Sequence, residues 1–191
     1  MSFWNLSSGE AVNATGEYEA PSGGLPIPDN TDVMSYIDEV KWDEKNGARY
    51  ISVRWRVAKP EGFKNRVVFQ KLWVLGNNPK KTGDKLKQDG DKAKRMLAAI
   101  DANAGGELMA VNGIPSDEDL QRCLMNKMMV IKVKTYDLKG DDGSAVTGNW
   151  VASISPASKG VSDAPAPAQP RREPDRAANG TARYDDSDIP F

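Results

Sequence analysis

The chain has 191 residues, a formal net charge of −1, no histidine and a single cysteine, Cys123. Without histidine the commonest general base and the commonest metal ligand are absent, and one thiol makes neither an intrachain disulfide nor a cysteine-based zinc site. The charge is unevenly spread, with a net of −7 over residues 1–40, +10 over 41–100 and −3 over 101–150, so the central segment attracts polyanions.

Residues 1–31 are rich in Gly, Pro, Ser and Asn, and Pro21 to Pro28 suits neither a helix nor a central strand. An irregular arm is expected, with Phe3, Trp4 and Leu6 available to dock it. The start lacks a basic segment followed by an apolar one, so it does not read as a signal peptide. No apolar run approaches the ~20 residues that span a bilayer. The expectation is a cytoplasmic protein with no membrane partner.

A first strand is predicted over Asp32–Trp42, and Asn46-Gly47 is a strong hairpin signal. A second follows over Ala48–Ala58, where Ile51, Val53, Trp55 and Val57 alternate with Tyr50, Ser52, Arg54 and Arg56. Period-two alternation with one apolar face denotes a half-buried antiparallel strand. A third strand is predicted over Asn65–Leu75. A lysine-bearing loop, Gly76–Gly83, leads to a helix over Asp84–Ala102, weakened by Gly90 and ended by Gly105-Gly106. Ser116 and Asp119 form a capping box for a short helix reaching Met125. Strands over Lys127–Asp137 and Val146–Ser155 complete the series.

Residues 156–184 are Pro, Ala, Ser, Gly and charge, a composition that does not offset its ordering entropy, so a disordered linker is expected. The last seven residues differ: Asp185, Asp186 and Asp188 precede Ile189-Pro190-Phe191. The terminal ring and α-carboxylate suit one basic-rimmed apolar pocket on a partner, with the acids steering the approach.

Three strands, helical material and two more strands predict an all-β fold, a five-stranded Greek-key OB-fold barrel over 32–155. An SH3-like or other small barrel is the alternative. On such a barrel, cations and flat side chains interleaved on one surface suit single-stranded nucleic acid, because cations track phosphates and every base offers a π-face. Strand two supplies Tyr50, Arg54 and Arg56, and strand four Lys132, Lys134 and Tyr136. Lys64, Arg66, Phe69, Lys71 and Trp73 come from strand three and its approach, and Lys80 and Lys81 from the loop. Trp55 belongs to the core. Of the two faces of strand three, the one bearing Phe69, Lys71 and Trp73 is taken as the binding face.

No nucleophile–base pair, phosphate-binding glycine loop or cysteine pair is present, so no catalysis and no cofactor are expected. Asp137, Asp141 and Asp142 could ligate Mg²⁺ in a nuclease, but their place at a Gly-rich turn favours a solvated hairpin tip. Cys123 reads as a small core residue.

Residues 185–191 resemble the acidic tip of bacterial single-stranded DNA-binding proteins, usually Asp-Asp-Asp-Ile-Pro-Phe, with Ser187 the one departure. The domain is similar to phage-encoded single-stranded DNA-binding proteins in Phe3-Trp4-Asn5-Leu6, in Lys64–Phe69 and in Ala93–Ile100. The resemblance implies a non-enzymatic protein of phage replication and recombination in the host cytoplasm. It would bind single-stranded DNA without sequence preference and recruit partners through its tip: a recombinase, annealing protein, helicase, polymerase or nuclease. Homo-oligomerisation is left open. The rival reading is an adaptor with little DNA affinity of its own.

Overall fold

The alternation of apolar and polar residues builds one sheet. The computed structural model describes residues 26–139 and 145–161. Its strands are β1 (Thr31–Lys45), β2 (Ala48–Lys59), β3 (Val67–Leu72), β4 (Met128–Lys139) and β5 (Ala145–Pro156), all antiparallel in the order β3-β2-β1-β4-β5. Two helices, α1 (Gly83–Ala104) and α2 (Asp117–Leu124), lie between β3 and β4 in the chain.

The predicted apolar face of β2 is the centre of the core. Ile51, Val53, Trp55 and Val57 are buried against Val33, Ile37 and Val40 of β1 and Met129, Ile131 and Val133 of β4. Ile100 of α1 and Leu120, Cys123 and Leu124 of α2 close over them. The Trp55 indole N–H donates to Gln70 Oε1 at 3.0 Å, which satisfies it inside the core.

β1 serves two neighbours. Its N-terminal half pairs with β4 through Thr31–Tyr36, and the strand pairs with β2 from Met34 to Lys45. Register shifts at Met34/Ser35 and between Ile37 and Glu39 interrupt the β1–β2 ladder, and such irregularities bend a strand and increase its twist. The outer strands β3 and β5 consequently approach one another, although they share no ladder.

The expected turns and caps are present. Asn46 and Gly47 both have positive φ, 53° and 76°, and close the β1–β2 hairpin. Ser116 and Asp119 form the capping box of α2, and Gly105 caps α1. Gly90 does more than weaken α1. It is buried, and a Cβ there would lie 2.8 Å from the Gly76 Cα, so its missing side chain lets α1 pack on the loop after β3. After α1, the Asp101 carboxylate accepts the Leu108 and Met109 N–H groups, both at 2.9 Å, and so holds the next segment.

Boundaries differ most at β3, expected to run from 65 to 75. Asn65 has a positive φ of 65°, and the chain leaves the sheet after Leu72, where Gly76 N–H bonds to the Trp73 carbonyl at 2.9 Å. The end of the expected arm is built in: Ile27 is buried and exchanges two 2.8 Å hydrogen bonds with the Asn149 side chain. Beyond β5, Ala157–Lys159 form a 3-10 turn, with Lys159 paired to Asp32 at 2.8 Å. The rest of the expected arm and linker, the whole tip and the turn expected at 140–143 lie outside the described residues. No helix among the described residues is long and apolar enough to cross a membrane.

Candidate nucleic-acid interface

The approach of β3 to β5 leaves a groove of about 240 Å³ along the seam. One wall is Val67–Lys71 of β3, the other is Asn149–Val151 of β5 with Tyr136 of β4, and Asn78–Lys81 of the loop after β3 line it too. The alternation of β3 selects what faces out. Val68, Gln70 and Leu72 are buried, whereas Phe69 is 67% exposed, beside the half-buried Lys71. The expected binding face therefore does face outward at Phe69 and Lys71.

Trp73 is a correction. It lies past the end of β3 and is 6% exposed, so it is no freely offered stacking platform. Its ring packs on Tyr50 with centroids 4.7 Å apart, and both join Ala48 in a small apolar cluster. Tyr50 is a second correction: although on the basic face of β2, it is 5% exposed. Its hydroxyl donates to Asp43 at 2.8 Å, and burial followed by that carboxylate pushes the phenol up to about 12. Trp73 is among the residues that line the groove and Tyr50 is not, and neither ring is an exposed contact surface.

Two other aromatics line the groove. Tyr136 pairs across β4–β5 with Gly148, and Lys134 with Trp150. A Cβ on Gly148 would collide with the Tyr136 ring atoms Cζ, Oη and Cε1, so the ring lies across β5 because residue 148 has no side chain. Trp150, half-buried on β5, was missed by the sequence reading. Its signal was available: it sits two residues after Gly148, opposite a strand already assigned to the site.

The cationic side of the groove comes from three separate segments: Lys45 at the end of β1, Lys71 on β3, and Lys80 with Lys81 in the loop. Lys45 was also missed, because hairpin ends usually carry solvated lysines. The Lys71 ammonium stands 5.4 Å from the Tyr50 ring centroid. Burial, then repulsion from Lys45, lowers its pKa; Asp43 opposes this and Lys80 adds to it. A partly desolvated lysine among other lysines is a local preference for an anion.

Arg54 and Arg56 are differently placed. Both guanidinium groups bind Asp38, at 2.7 and 2.6 Å, and Arg54 also binds Glu39 at 2.6 Å. Desolvation raises the Asp38 pKa, but hydrogen bonds from both arginines outweigh it and leave the carboxyl below its usual range. The pair forms an internally compensated patch on β2, outside the residues that line the groove.

The remaining candidates scatter. Lys64 pairs with Glu61 at 2.9 Å in the β2–β3 connection, and the Arg66 guanidinium lies 5.1 Å from the Phe63 ring centroid. Lys132 pairs with Asp32 at 2.9 Å. Lys134 is half-buried on β4 and is not among the groove-lining residues. Asp185, Asp186, Asp188, Ile189, Pro190 and Phe191 lie outside the described residues. Among the described residues no three or more Asp, Glu, Cys or His side chains gather to hold a metal. Asp137 accepts a 2.7 Å hydrogen bond from Thr147 across the β4–β5 pair. Cys123 is buried in the core, and burial raises its thiol pKa.

No protein-family model matches the chain, and no curated protein matches it either.

Proposed function

We propose that the chain binds single-stranded DNA in the β3–β5 groove, with no catalytic step. The observation that carries this reading is the convergence in one groove of Phe69, Tyr136 and Trp150 with Lys45, Lys71, Lys80 and Lys81. Stacking faces and cations gathered in one groove match a polymer that offers a base and a phosphate at every repeat. A duplex hides its bases, so the aromatics have no partner there.

The domain reads best as an OB-fold. Its strand order, with β1 between β2 and β4 and the outer strands β3 and β5 brought together, supports that assignment, as does the position of α1 after β3. The groove then lies on the ligand side of such a barrel. The acidic tip, residues 185–191, serves as a second module that recruits replication or recombination proteins in the cytoplasm of a phage host. That part rests on the sequence of the tip alone.

The test is a fluorescence anisotropy titration of the full chain with labelled oligo-dT, using unlabelled duplex of equal length as competitor. Tight binding to oligo-dT that the duplex fails to displace supports the proposal. Absence of oligo-dT binding, or equal binding of duplex, refutes it and leaves the adaptor reading.

A further inference from the structure

A second hollow, of about 450 Å³, lies between α1 and the segment that follows it. Its apolar lining is Leu97 and Ala98 of α1 with Leu108, Met109 and Val111. Met109 is 75% exposed, and Ile114, between the lining residues Gly113 and Pro115, is 64% exposed. Large aliphatic side chains gathered at one surface mark a docking place. Lys94 and Arg95 also line the hollow; both are exposed, and neither makes an ion pair among the described residues. The lining carboxylate, Asp101, is taken up by the Leu108 and Met109 N–H groups, both at 2.9 Å. Among the described residues none that lines the hollow is aromatic, so a base would find no stacking partner there.

We propose that this hollow holds the acidic tip of the same chain, residues 185–191. The tip carries both chemistries that the hollow calls for: Asp185, Asp186 and Asp188 for Lys94 and Arg95, and Ile189 with Phe191 for the aliphatic lining. The connecting chain is long enough. Residue 161 is the last one described before the tip, and residues 162–184, at ~3.3 Å each, can span up to about 75 Å. A domain of this size has a radius of gyration of only ~14 Å, so the tip can reach any point on its surface. Covalent attachment makes the contact intramolecular, so that weak charge and apolar contacts suffice. The hollow shares no lining residue with the β3–β5 groove. Docking of the tip is therefore separate from the proposed DNA site, and it covers Ile189 and Phe191 until a partner binds them more tightly.

The experiment reads the Met109 methyl signal in full-length protein with ¹³C-labelled methionine methyls. A phenylalanine ring held against that methyl displaces its signal through the ring current. The Met109 signal of wild type is expected to differ from that of Phe191→Ser, while Met128, outside the hollow, gives the same signal in both. The displacement is expected to persist on dilution, since the contact is intramolecular. Lys94→Glu combined with Arg95→Glu reverses the charge of the hollow and is expected to abolish the displacement. Both side chains are exposed, and an unmoved Met128 signal reports that the fold is kept. Should that variant fail to fold, wild type in rising salt replaces it, and the displacement is expected to shrink as the charges are screened. A Met109 signal identical in wild type and Phe191→Ser overturns the proposal. So does a displacement that survives charge reversal or high salt, or one lost on dilution, which assigns the tip to a second copy. No DNA is present, so failure here leaves single-strand binding untouched, and failure to bind oligo-dT leaves this result standing.

Discussion

Replacing Phe69 by alanine separates binding from folding more cleanly than any other single change. Its side chain is 67% exposed, so folding hides only about a third of it. Full burial of a phenylalanine is worth ~1.5–3 kcal/mol, which scales to a stability loss of about 0.5–1 kcal/mol in Phe69→Ala. Its Cα partner across β2–β3 is Arg54, whose guanidinium is held by Asp38 and Glu39, so the truncation opens no hole in the core. If Phe69 stacks on a base, its loss costs ~1–3 kcal/mol of binding, or roughly a five- to 150-fold rise in Kd. Urea denaturation gives the first quantity and oligo-dT titration the second. An unchanged Kd together with near-native stability would refute a stacking role for this ring.

Trp73→Ala is expected to behave in the opposite way, losing ~3–5 kcal/mol of stability because the ring is buried against Tyr50; a midpoint close to wild type in denaturant would place it outside the core. Gly148→Ala should displace the Tyr136 ring and weaken oligo-dT binding by up to the ~1–3 kcal/mol of one stacking contact, and the double change with Tyr136→Ala should cost no more than Tyr136→Ala alone. Lys71, with its lowered pKa, should lose its charge before ordinary lysines as pH rises, so affinity falls first at that site, and Lys71→Met should remove this early limb of the pH–affinity curve. For stability the sign is reversed, since the charged form is the one disfavoured by folding: the Lys71 contribution improves as pH rises through its folded pKa. Asp38 gives an acid limb. Its lowered folded pKa means that its contribution is complete above about 3.8 and is lost as pH falls through the folded value, and Asp38→Asn should flatten that part of the pH–stability curve.

The strand pattern was readable because each strand is half-buried. In β2 the alternation of Ile51, Val53, Trp55 and Val57 with polar neighbours identified both element and core face from sequence. Trp73 and Tyr50 were misplaced for a common reason. Periodicity assigns a side chain to a face, and it does not register that the outer face carries an apolar cluster of its own. Trp73 also lies one residue past the strand end, where parity no longer applies. Arg54 and Arg56 were read as available charge because Asp38, 16 and 18 residues earlier, becomes their neighbour only through the β1–β2 register. Lys45 and Trp150 were missed because strands distant in sequence close the groove. What carried over intact was the outward pair Phe69 and Lys71, whose alternation is local to six residues.

The central claim is that phosphates are met by the lysines of the β3–β5 groove and not by the basic residues elsewhere. The most direct measurement is the dependence of oligo-dT affinity on salt, compared between wild type, Lys71→Ala, Lys80→Ala and Lys64→Ala. For a single strand, log K falls with log salt by about 0.7 for each phosphate neutralised. Lys71→Ala and Lys80→Ala are each expected to make the slope shallower by roughly that amount. Lys64→Ala, paired with Glu61 outside the groove, is expected to leave it unchanged. Equal slopes for all four proteins, or a change confined to Lys64→Ala, would contradict the placement of DNA in this groove.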